Sequence, residues 1–226
     1  MLADNRPPAR ASLAGLYALT PDLDDTDLLL ARVGAAIAGG ATAIQYRNKR
    51  APAALRREQA RSLRQVCAVH NVIFIVNDDA DLALAVDATG VHLGRDDMSV
   101  AEARARLGRA AIIGVSCYDS LDRAADAVRD GADYIAFGSF FPSTVKPDAV
   151  RATPALLTLA KARWSVPVVA IGGITAARAR SLVTAGADAV AVISAVFTAP
   201  DVGAAAREFA ACFAAQSAID LSGRQR

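Results

Sequence analysis

Histidine is nearly missing from this chain of 226 residues: only His70 and His92 occur. Sites built from several imidazoles are thereby excluded, and a histidine-dependent serine or cysteine triad has almost no material to draw on. Any metal chemistry should use oxygen ligands. Cysteine is scarce too. Cys67, Cys117 and Cys212 are odd in number and widely spaced, which gives neither a disulfide framework nor a zinc pair and fits a reducing cytoplasm. Aromatic residues make up 5% of the chain, and the lone Trp164 and four tyrosines form no stripe on which the bases of a nucleic acid would stack. Neither sign of charge is in excess, with 25 Lys+Arg against 23 Asp+Glu and a formal net charge of +2. Neither a nucleic acid nor a membrane is therefore an expected partner, and any anionic ligand must be met by a local cluster. No apolar run is long enough to span a bilayer, and the arginine- and proline-containing start is followed by no signal-like apolar stretch.

What the chain does have is 54% hydrophobic residues, ample for one buried core. Short β-branched apolar runs alternate with longer alanine-rich segments of helical period, the pattern of βα units. Eight strands are expected, at Leu16–Leu19, Ala43–Arg47, Val72–Val76, Gly90–Leu93, Ala111–Val115, Tyr134–Phe137, Val168–Ile171 and Ala189–Ile193. Their interiors lack polar alternation, as expected of parallel strands buried on both faces. A weak repeat, Gly40-Ala41-Thr42, Gly131-Ala132-Asp133 and Gly186-Ala187-Asp188, closes a helix and opens a strand three times. Glycine suits that place because it accepts the left-handed conformation after a helix. Eight such units point to a single (β/α)8 barrel over residues 13–216, between flexible ends at 1–12 and 217–226; an open doubly wound sheet is the alternative. The last helix is expected from about Val202 to Ala214.

In a parallel barrel the chemistry lies at the C-terminal ends of the strands. Strand two ends in Gln45-Tyr46-Arg47-Asn48-Lys49, and the period-two spacing of Gln45, Arg47 and Lys49 aims all three into the barrel mouth. Asp78 after strand three and Asp97 after strand four form a carboxylate pair suited to Mg²⁺, which shares its remaining positions with water and phosphate oxygens. Asp78 standing alone would read as a helix cap. Gly172-Gly173 after strand seven and Ile193-Ser194 after strand eight occupy the usual phosphate position of such barrels. The connection Gly138–Thr153, with Lys146, is a candidate lid. His92 reads as a core or supporting histidine and Cys117 as a structural thiol.

Taken in order, GLYALT, IQYRNK, VNDDADLAL, ATGVHLGRDD, IIGVSCYD, GADYIAFGSFFPSTVKPDA, VPVVAIGGI and GADAVAVISAV closely resemble the thiamine-phosphate synthase family over roughly residues 15 to 197. The resemblance implies a TIM barrel that condenses a pyrimidine diphosphate with a thiazole phosphate, releases pyrophosphate and requires Mg²⁺. It implies that Gln45, Tyr46, Arg47, Asn48, Lys49, Asn77, Ser116 and Lys146 meet the pyrimidine diphosphate, with Arg47, Lys49 and Lys146 as the catalytic cations. Asp78 and Asp97 match the magnesium ligands. Ser143, Thr144, Val145, Gly173, Ile193 and Ser194 match the thiazole-phosphate site. Two phosphorylated small molecules are then the partners, and the sequence is silent on oligomeric state. The chain departs from the family pattern at Asn48, where glutamate is usual, at Tyr46, where an aliphatic residue is usual, and at Val145, where a hydroxyl residue is usual. Related alternatives are a thiazole tautomerase, which needs a general base instead of a diphosphate cluster, and a catalytically silent barrel that binds a thiamine precursor.

Overall fold

The structure, a computed structural model, describes residues 13–142 and 151–223, with residues 216–223 given by their backbone alone. The expected N-terminal segment 1–12 lies outside the described residues. Eight parallel strands close into a barrel in sequence order, so the open-sheet alternative is set aside. They are β1 (Gly15–Leu19), β2 (Ala41–Tyr46), β3 (Ile73–Asn77), β4 (Gly90–Leu93), β5 (Ile112–Tyr118), β6 (Tyr134–Phe137), β7 (Val168–Ile171) and β8 (Ala189–Val192). The helices are α1 (Thr26–Ala38), α2 (Ala53–Val69), α3 (Ala80–Ala85), α4 (Val100–Leu107), α5 (Leu121–Arg129), α6 (Pro154–Arg163) and α7 (Ala176–Thr184), followed by α8 (Ser194–Phe197) and α9 (Val202–Gly223). The short α8 is an addition to the expected pattern. Helix α9 runs past the expected end at Ala214, because the polar stretch beyond it contains no proline and no glycine before Gly223. No described helix is long and apolar enough to cross a membrane.

Two cores follow from strand alternation. The larger lies between sheet and helices and includes Leu29, Ile44, Leu63, Phe74, Ile135 and Phe209. The smaller fills the barrel itself, where Ala43, Ala136, Ala189 and Ala191 leave room for Tyr17 and Tyr134. Gly114 has the same effect: a Cβ there would stand 1.9 Å from Tyr134 Cζ. The two tyrosine rings meet edge to face at 6.1 Å.

The glycine repeat has its expected form, with positive φ at Gly40, Gly131 and Gly186. Its third residue ties each strand to its predecessor at the base of the barrel. Asp133 accepts from Ile113 N at 2.8 Å and pairs with Arg104, while Asp188 accepts from Val168 N at 2.7 Å and pairs with Lys161 at 2.9 Å. Thr42 Oγ1 donates to Leu16 O at 3.1 Å in the equivalent place. Asp188→Ala leaves the Val168 N–H without this acceptor beside a fully buried side chain, and is expected to cost about 2 kcal/mol of stability. A chemical-denaturation midpoint that does not fall would refute this role.

Candidate active site

A cavity of about 710 Å³ opens at the C-terminal ends of the strands. On one side it is lined by Gln45, Arg47, Lys49, Asn77, Asp78, Asp97 and Ser116; on the other by Gly173, Ile193 and Ser194. The barrel thus brings together every expected site residue that it describes except two. Tyr46 and Asn48 are buried on the opposite face of β2, against α2. Tyr46 Oη donates to Gln59 Oε1 at 2.9 Å, and Asn48 Nδ2 donates to Leu23 O at 3.0 Å and to Gln59 Oε1 at 3.2 Å. Asn48 Oδ1 accepts from Ala51 N at 3.2 Å. These side chains therefore shape the loop and do not face the cavity, as strand alternation requires. Ser143, Thr144, Val145 and Lys146 lie outside the described residues.

The cations that follow β2 are held by carboxylates. Asp22, just beyond β1, accepts from Arg47 Nη1 at 2.9 Å and from Lys49 N at 3.0 Å. Thr20 Oγ1 accepts from Arg47 N at 2.8 Å and donates to Arg47 O at 2.9 Å. A guanidinium has five donors, so a single bond to Asp22 aims Arg47 without exhausting it. Lys49 Nζ lies 3.2 Å from Asp78 Oδ2, and its side chain is 55% exposed. Such a pair is worth about 0–1 kcal/mol, so an incoming phosphate competes for the ammonium at little cost.

Asp78 has φ of 62°, in the left-handed region that Asp tolerates better than most residues. Its amide donates to His92 O at 2.8 Å, and the capping of α3 falls to Asp79. Asp97 Oδ2 accepts from Gly94 N at 2.6 Å. Burial raises the Asp97 carboxyl above its ordinary value; the Gly94 amide opposes that rise and the neighbouring Asp78 adds to it. No group of three or more His, Cys, Asp or Glu arranged to hold a metal ion occurs among the described residues. Two crowded carboxylates fit a hard cation that takes its other ligands from water and phosphate.

Across the cavity, Gly172 and Gly173 have φ of 103° and 62°. A Cβ on Gly172 would stand 2.2 Å from Ser139 Oγ, and one on Gly173 would stand 2.3 Å from Pro142 O. Both glycines are needed for the turn and for close approach of the β6–α6 connection, whose ends meet through Ala152 N donating to Ser139 O at 3.0 Å. Ile193 and Ser194 carry the chain from β8 into α8.

Sequence reasoning missed Asp22, and it left His92 without a specific role. His92 lines the cavity and bonds to Tyr134 and Ser116. Its inward parity, in register with Asn77 on the neighbouring strand, was the available signal. Arg95 also lines the cavity, with its guanidinium 4.6 Å from the Tyr118 ring centroid. Cys117 is buried, as expected of a structural thiol.

A closed (β/α)8 barrel with clustered cations and carboxylates facing a glycine turn at β7 and β8 defines an enzyme of the phosphate-handling class. The family model for thiamine monophosphate synthase matches residues 16–196, and the chain belongs to that family. A thiamine-phosphate synthase of Thiobacillus denitrificans is 55% identical over 202 residues, spanning 89% of this chain and 96% of its own length. One from Thioalkalivibrio sulfidiphilus is 54% identical over the same shares. The solved structure of a thiamine phosphate pyrophosphorylase from Pyrococcus furiosus superposes with a TM-score of 0.79 at 39% identity, covering 89% of this chain and 96% of that one.

Burial pushes the thiols of Cys67 and Cys117 up to about 12, so both remain protonated at pH 8. Iodoacetamide at pH 8 is expected to leave both unmodified in the folded protein and to alkylate both after denaturation, as read by peptide mass spectrometry. Rapid alkylation of folded Cys117 would contradict its assignment as a structural thiol.

Proposed function

We propose that this chain is a thiamine-phosphate synthase. It joins 4-amino-2-methyl-5-(diphosphooxymethyl)pyrimidine to 4-methyl-5-(2-phosphooxyethyl)thiazole, giving thiamine phosphate and pyrophosphate. The observation that carries this reading is one cavity with cations and carboxylates on one wall and the β7–β8 turn on the other, in a chain of this family. Two phosphorylated substrates need such opposed sites if their reacting atoms are to meet between them.

Gln45 and Asn77 position the pyrimidine diphosphate, and Ser116, Arg47, Lys49 and Lys146 meet its phosphates. Charge builds on the diphosphate as its bond to the methylene carbon breaks, and these groups stabilise it there. The electron-rich aminopyrimidine bears the resulting benzylic-type cation, to which the thiazole nitrogen adds. No protein nucleophile is required. Asp78 and Asp97 would hold Mg²⁺, which when bound neutralises phosphate charge. Gly173, Ile193 and Ser194, with Ser143, Thr144 and Val145, hold the thiazole by its phosphate, so much of the acceleration comes from orientation. The catalytic unit is the barrel over 13–216, and unpaired cysteines support a cytoplasmic setting.

Pyrophosphate release, measured with both substrates and Mg²⁺, tests the reading: it should require the thiazole phosphate. A tautomerase or a silent binding barrel would release none. Asp78→Ala and Lys146→Ala are each expected to lower kcat by about a hundredfold or more while leaving the circular dichroism spectrum unchanged. Near-normal turnover by either variant would remove that residue from the mechanism.

A further inference from the structure

The lower part of the cavity joins an unbroken line of side-chain hydrogen bonds that crosses the barrel through five strands. Gln45 Nε2 on β2 donates to Tyr17 Oη on β1 at 2.7 Å. Tyr17 Oη and Tyr134 Oη, on β1 and β6, are 2.9 Å apart. Tyr134 Oη lies 2.9 Å from His92 Nδ1 on β4, and His92 Nε2 lies 2.8 Å from Ser116 Oγ on β5. The His92 and Tyr134 rings also stack, with centroids 5.5 Å apart. Both phenols are buried, and burial pushes both well above the ordinary tyrosine value, so each keeps its proton.

Donor counting gives the line a direction. An amide nitrogen only donates, so Tyr17 accepts from Gln45 and passes its single proton to Tyr134. Tyr134 then donates to His92 Nδ1. The neutral imidazole carries its proton on Nε2 and donates it to Ser116 Oγ. Ser116 accepts there, and its own hydroxyl hydrogen turns away from His92, on the residue that lines the cavity. At the other end Gln45 commits Nε2 to Tyr17 and presents its acceptor Oε1 elsewhere. The two ends thus have opposite polarity: a donor at Ser116 and an acceptor at Gln45. Reversing the line would invert both at once.

We propose that Tyr17, Tyr134 and His92 are positioning residues that couple the two ends of one substrate. They set Ser116 as a donor to the departing diphosphate and, in the same arrangement, Gln45 as an acceptor for the amino group of the pyrimidine. This rests on the synthase reading, which supplies a substrate with an anion at one end and an amino donor at the other. A residue that only filled the barrel would have no such coupling.

A double-mutant cycle on pyrophosphate release tests the proposal, using both substrates and Mg²⁺ and checking each protein by circular dichroism. Tyr134→Phe keeps the ring and breaks the line. It is expected to lower kcat about tenfold, with KM for the thiazole phosphate unchanged. Ser116→Ala is expected to lower kcat about a hundredfold. Tyr134 acts through Ser116 and through Gln45, so only the Gln45 share of its loss remains in the Ser116→Ala background, and the double variant should turn over within about threefold of Ser116→Ala alone. A multiplicative loss, near a thousandfold, would overturn the coupling and leave Tyr134 a packing residue. Should Tyr134→Phe fail to fold, His92→Phe breaks the line between Tyr134 and Ser116 and takes its place in the cycle. An inactive wild-type protein would instead overturn the assignment of function, so the two failures are distinct.

Discussion

The site depends on side-chain alternation along β2 and the loop that continues it. Gln45, Arg47 and Lys49 fall on the cavity side, while Tyr46 and Asn48 fall on the helix side and anchor to Gln59. The two sets serve each other. Gln59 Nε2 donates to Leu23 O at 2.9 Å, holding the segment that also contains Asp22, and Asp22 in turn orients Arg47 and the backbone of Lys49. A slip of one residue would put amide and phenol at the mouth and bury two cations among the helices, a cost no surrounding contact offsets.

Opposed charges keep the mouth ready for an anion. Asp22 grips Arg47 in a partly buried pair, whereas Asp78 only touches the more exposed Lys49. The first pair fixes a direction and the second stores a cation that a phosphate can take over, because exchange of one exposed partner for another changes little in solvation. The opposite wall uses backbone: glycines at β7 and the turn into α8 bring main-chain groups to the surface where side chains would obstruct.

Much of this was legible in the sequence. Strand number, parallel order and the rim positions follow from apolar runs and the residues that end them, and Gly90–Leu93, Tyr134–Phe137 and Val168–Ile171 have the expected bounds. Family motifs added ligand identities, but they treat Gln45 to Lys49 as one contiguous contact, and a strand offers only alternate residues to one face. Asp22 and the Tyr17–Tyr134–His92 line escaped notice for another reason. Their partners lie on strands far away in sequence, and only closure of the barrel makes them neighbours. The short α8 was hidden inside an apolar run with the composition of a strand.

The Asp133 and Asp188 ties stand at the base of the barrel, away from the cavity, and each joins a strand to the one before it. Alignment of the C-terminal half is therefore secured where no substrate reaches. The connections at the other rim inherit a frame they need not help to build, and so they are free to vary in sequence under selection for ligand alone. A change on that rim alters what the enzyme grips without loosening the staves that carry the grip.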